Sequence, residues 1–130
     1  MKTKFGLGKP VDATFDDAVQ MVTDELTKEG FGVLTEIDVA ATMKEKLGED
    51  MRPYRILGAC NPSLAHKAIS EVPEFGLLLP CNVVVRQDES GQVPVSFMDP
   101  EAVLGLVDNP EVELLANQVK EKLERVCANI

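Results

Sequence analysis

The sequence predicts an α+β domain, a mainly antiparallel sheet of about five strands with helices packed on it. Period-two alternation recurs in short segments along the chain, and helix starts between them carry explicit capping chemistry. The 130 residues suffice for one core and one domain, 1–130, with 45% hydrophobic and 27% charged residues, as in ordinary globular proteins.

Alternation of Thr3, Phe5 and Leu7 with Lys2, Lys4 and Gly6 predicts a first strand at a sheet edge. Thr14 then caps a helix whose apolar residues Phe15, Ala18, Val19, Val22 and Leu26 recur at three- and four-residue steps, and Gly30 supplies its left-handed C-terminal residue. Phe31, Val33, Thr35 and Ile37 alternate as a second strand, and Asp38 caps a short helix through Val39, Met43 and Leu47 that Gly48 ends. Tyr54 to Cys60 reads as a third strand, with Tyr54, Ile56, Gly58 and Cys60 on one face.

Asn61 and Pro62 start a helix that buries Leu64, Ala65, Ala68, Ile69 and Val72, and the same signal recurs at Asp99-Pro100 and Asn109-Pro110. Leu77 to Arg86 is apolar on both faces and predicts a covered strand, with an irregularity at Pro80 because proline has no ladder donor. A turn at Asp88 to Gly91 leads into a strand through Val93, Val95 and Phe97 that Pro94 marks as an edge. The last helix, from Pro110 to about Ala128, aligns Val112, Leu115, Val119, Leu123 and Val126 in one stripe.

The net charge of −9 repels phosphate backbones and anionic lipid, and from Gln87 through Val119 there are seven acids and no Lys or Arg. Nucleic acid is therefore not the expected partner. The N-terminal segment lacks the apolar core of a signal peptide and no apolar run approaches the ~20 residues of a membrane span, which predicts a cytoplasmic protein that does not engage the membrane. Three cysteines, Cys60, Cys81 and Cys127, form an odd, sparse set that reads as reduced thiols. One histidine, His66, falls on a polar helix face, so neither a histidine-rich metal site nor a bound cofactor is expected.

Cys60 directly precedes the Asn61 cap, where free N–H groups and the helix dipole favour a thiolate, so it is the candidate nucleophile. The competing reading is a small core residue at a strand end. Cys81 joins it if the two strands are neighbours, and Cys127, near a helix C-terminus, is at the unfavourable end of the dipole. Arg55 and Arg86 are the strand-borne cations that could meet an anionic ligand or a neighbouring carboxylate.

The blocks Gly30 to Asp38, Tyr54 to Pro62 and Gly76 to Val85, with Lys44 to Gly48 between the first two, resemble the family called domain of unknown function 302. The resemblance covers nearly the whole chain. It implies a TATA-box-binding-protein-like domain with a curved antiparallel sheet, and a homodimer. Its motif positions fall on Cys60, Asn61, Pro62, Pro80, Cys81 and Asn82, and it carries no assigned reaction. Besides a purely structural partner domain that docks on another protein through its proline-marked sheet edge or the acidic segment from Gln87 to Val119, two function classes remain open. In one, the protein is a dimeric binding or regulatory module for a small ligand, with Asn61, Asn82, Arg55 and Arg86 as ligand contacts and a cavity lined by Leu79, Val83 and Ile56. In the other, Cys60 and Cys81 carry thiol redox, sulfur transfer or soft-metal binding. The binding module requires fewer assumptions.

Overall fold

The structure, a computed structural model, describes residues 3–130. Five strands, β1 (Gly6–Val11), β2 (Gly32–Asp38), β3 (Tyr54–Cys60), β4 (Cys81–Arg86) and β5 (Val93–Met98), form one sheet in the order β1-β5-β4-β3-β2. Every neighbouring pair is antiparallel, as the sequence predicts. Five helices accompany it: α1 (Phe15–Lys28), α2 (Val39–Leu47), α3 (Pro62–Glu71), α4 (Pro100–Leu104) and α5 (Pro110–Ala128).

Local chemistry accounts for the helix ends. Thr14 Oγ1 accepts from the Asp17 N–H at 3.2 Å, and at the other end of α1 the N–H groups of Phe31 and Gly30 return to the carbonyls of Leu26 and Thr27. That paired closure needs the left-handed backbone of Gly30, φ 84°, and it brings Leu26 against Phe31, both buried. Asp38, Asn61, Asp99 and Asn109 cap the other four helices with their side-chain oxygens.

The two principal helices cover one side of the sheet. Leu57 and Ala59 of β3, Val83 and Val85 of β4, and Val95 and Phe97 of β5 meet Ala18, Val22 and Leu26 of α1 and Val112, Leu123 and Val126 of α5 in a single core. Full burial of a residue such as Leu57 or Val83 contributes about 1.5–3 kcal/mol, so this layer dominates stability. Arg125 ties the two principal helices together at the surface, donating from Nε and Nη2 to Glu29 Oε1 at 3.0 and 2.9 Å.

Several expectations are corrected. The first strand begins at Gly6 rather than Thr3, and the expected strand position of Lys2 lies outside the described residues. Only Cys81–Arg86 of the run from Leu77 is strand; Pro73–Leu78 is a 3₁₀ turn, and the Leu79–Pro80 peptide is cis. Tyr54, Ile56 and Gly58 do share a face, but the helix layer covers the other one. Ile69 of α3 is 41% exposed, and α2 buries none of its residues. Pro94 does not mark an edge, because β5 lies between β1 and β4; its register partner is Pro10, so two residues without N–H groups face each other and no donor is wasted.

Gly58 shows how tightly the end of the outward face is built. A Cβ there would overlap the Thr35 hydroxyl and come within 2.8 Å of Pro80 Cγ. Gly58→Ala is expected to lower unfolding free energy by about 1–3 kcal/mol in urea titration; an unchanged midpoint would show that Thr35 and Pro80 are free to move.

Candidate functional site

The N-terminal end of β4 is where the predicted residues gather. Ala59 and Cys81 are register partners, so Cys60, the next residue of β3, and Cys81 come from adjacent strands, as the sequence argument required. Both line a small apolar cavity with Phe31, Leu64, Phe75 and Leu79, closed by Leu115 and Val119 of α5. Its volume is about 30 Å³, room for a water molecule or a single atom and far below the ~300 Å³ of an organic-ligand pocket. Cys60, Cys81 and Cys127 are all free thiols.

The expected low thiol pKa at Cys60 is not found. Burial pushes the Cys60 thiol up, and burial with a smaller contribution from Cys60 pushes Cys81 to about 11. The helix start offers little compensation: Pro62 has no N–H, that of Leu64 is taken by Asn61 Oδ1 at 3.4 Å, and that of Ala65 bonds the Asn61 carbonyl. Asn61 is occupied on its other side too, its Nδ2 donating to the Glu29 carbonyl at 3.4 Å. Cys127 is likewise raised by burial, partly offset by Lys9.

Arg55 is matched by its own sheet. It donates to Glu36 Oε1 at 3.0 Å, lies 3.5 Å from Asp38 Oδ2, and stacks 5.3 Å above the Phe15 ring. Arg86 is half-buried at the far end of β4, opposite Tyr54, and helps hold the Asp88 carboxyl below its usual range, after the larger effect of Ser90 and the backbone N–H groups. His66 is exposed, and no three His, Cys, Asp or Glu residues among those described are grouped to share a metal ion. No described helix is long and apolar enough to cross a membrane.

The expected cavity of Leu79, Val83 and Ile56 does not form, since Val83 points into the core and Ile56 onto the outward face. A larger groove lies on the other side of Cys81. Asn82 and Val84 of β4, Ser96 and Met98 of β5, Phe5 and Val103 of α4 bound a volume of about 310 Å³ in which apolar surface dominates. Thr3, Gly6, Leu7 and Phe97 complete it, and no charged side chain lines it. Of these residues only Asn82 is singled out by sequence reasoning. The others come from both ends of the chain, and the one local signal is glycine at positions 6 and 8 opposite Met98 and Ser96, which leaves that corner of the sheet without bulk.

A five-stranded antiparallel sheet with its two principal helices packed on one side, and with a thiol pair and an apolar groove at one end, defines a class of small α+β domain. The chain belongs to that of the family "Domain of unknown function DUF302", whose model matches residues 7–130. It is similar to a solved structure titled as a crystal structure of an uncharacterized conserved protein DUF302 from Bacillus stearothermophilus, with 27% sequence identity, 98% of each chain covered and a TM-score of 0.89. No curated protein matches the chain.

The raised thiols fix the sign of an alkaline effect. A thiol whose pKa is higher folded than unfolded contributes stability that is fully present below its unfolded pKa and is lost as pH rises through the folded value. For Cys81 that window runs from 9.0 to about 11. Cys81→Ala is therefore expected to flatten the alkaline fall of unfolding free energy by roughly 2 to 3 kcal/mol across the window. Parallel wild-type and variant slopes in urea titrations would contradict the buried-thiol assignment.

Proposed function

We propose that residues 1–130 act as one homodimeric binding module whose ligand is a small, neutral, mainly apolar molecule held in the groove beside Asn82. The observation that carries this reading is the groove's composition: about 310 Å³, no charged lining residue, and polar groups limited to Asn82, Ser96 and Thr3. Apolar walls with a few convergent polar groups are the usual chemistry of a small-ligand site, the apolar area supplying affinity and the amide fixing orientation. In a chain of net charge −9, an uncharged lining also disfavours anions, which meet repulsion without a compensating cation. Arg55, held by Glu36 and Asp38, and Asn61, held in its cap, are assigned to structure instead.

One observation favours a second reading. Cys60 and Cys81 share the 30 Å³ cavity, which admits one added atom such as a persulfide sulfur or a soft metal ion. The upward-shifted thiols weigh against a fast nucleophile at neutral pH, which ranks this reading below the groove.

The neutral fluorophore N-phenylnaphthylamine is the appropriate probe. It is expected to bind with enhanced emission, at least about tenfold more tightly than its anilinonaphthalene sulfonate analogue, a difference of roughly 1.4 kcal/mol. Val103→Phe fills the groove from the α4 wall and should weaken that binding about tenfold. Equal affinity for the two dyes, or binding indifferent to Val103→Phe, would defeat the proposal.

A further inference from the structure

The groove beside Asn82 holds two polar side chains that the protein leaves without a partner. Val83, Val85, Val95 and Phe97 turn into the core, so the alternate residues Asn82, Val84, Ser96 and Met98 turn to the groove. Asn82 is in register with Gly58 on one side, and Met98 lies one step beyond the Val83–Phe97 pair on the other. Ser96 is in register with Gly8 on one side and with Val84 on the other. Each polar side chain is thus set between a glycine and an apolar residue, and neither neighbouring side chain pairs with it. Thr3, the third polar residue of the groove, is engaged, its Oγ1 accepting from the Phe5 N–H at 3.3 Å. Among the described residues no hydrogen-bonding group meets the Asn82 amide or the Ser96 hydroxyl.

We infer that the ligand of this groove is a neutral lactam, a ring in which an N–H lies beside a C=O. This rests on the groove proposed above and names the chemical class it takes. The Asn82 side chain presents one donor and one acceptor along a single edge. A ring lactam presents the complementary acceptor and donor in one plane with no rotatable bond between them, so both hydrogen bonds form without ordering a flexible group. The ring then lies against Val84, Met98, Phe5 and Val103. Ser96 is a diagonal neighbour of Asn82, about 7–8 Å away in such a sheet, and its hydroxyl is placed for a polar atom at the far end of the ring.

Other ligand classes satisfy this lining less well. A hydrocarbon chain strips water from the amide and the hydroxyl and replaces none of their hydrogen bonds. An ester or a ketone only accepts, which leaves the Asn82 carbonyl desolvated and unpaired. An anion finds no cation in the lining, and a cation finds no carboxylate.

Competition against bound N-phenylnaphthylamine tests the assignment with the whole chain. The probe is 2-quinolinone, a fused two-ring lactam, compared with N-methyl-2-quinolinone, which keeps the rings and the carbonyl and lacks the N–H. The lactam is expected to displace the dye at a concentration at least about tenfold lower than its N-methyl analogue. In Asn82→Leu that preference is expected to fall below about threefold, because the paired edge is gone; Asn82→Ala serves as the second variant should Asn82→Leu not fold. Equal displacement by the two compounds overturns the lactam assignment and leaves the groove standing. So does a preference that survives the substitution at Asn82, since it would come from the bulk of the methyl group alone. Failure of the dye and of both compounds to bind wild type overturns the groove and the lactam together.

Discussion

Burial of one face of the sheet beneath α1 and α5 is the constraint on which everything else depends. Leu57, Val83, Val85, Val95 and Phe97 point into that layer, and each contributes apolar area that no other part of the chain could replace. Period-two alternation then commits their neighbours to the opposite side, so Ile56, Val84 and Ser96 are outward because the core residues are inward. The outward face, the groove and the position of Arg55 over Phe15 are consequences of that single choice.

The same constraint separates the two chemical features of the domain. At the start of β4, Cys81 turns inward to a cavity of about 30 Å³ and Asn82 turns outward to a groove of about 310 Å³. One step along the strand exchanges a desolvated thiol, raised to about 11, for an exposed amide. Desolvation outweighs the helix dipole at the thiols because α3 begins with Pro62 and a side-chain cap, which leave few N–H groups free to meet an anion. The cysteine pair and the apolar groove thus share a strand end but have different chemistry.

What could be read from the sequence was what short-range chemistry determines. Thr14, Asp38, Asn61 and Asn109 announce their helices because a capping oxygen reaches only two or three residues, and the boundaries of α5 follow directly. The meeting of Cys60 and Cys81 followed from the adjacency of their strands. Pro94 misled because its lost donor is excused by Pro10, more than eighty residues earlier in the chain. Leu77 to Leu79 misled because a short apolar run fits a 3₁₀ turn as well as a strand. The groove was invisible for a related reason: Phe5, Asn82, Met98 and Val103 meet only once strand order is known.

The groove beside Asn82 is proposed to carry a neutral small molecule. Native mass spectrometry of the protein isolated from its own cells addresses it most directly, since a ligand, a metal ion, a persulfide and a disulfide each displace the 14.2 kDa chain mass differently. The expected spectrum carries the added mass of an organic molecule that disappears on denaturation and leaves unmodified cysteines. A bare chain, or a mass shift that survives denaturation and maps to Cys60 or Cys81, would contradict it.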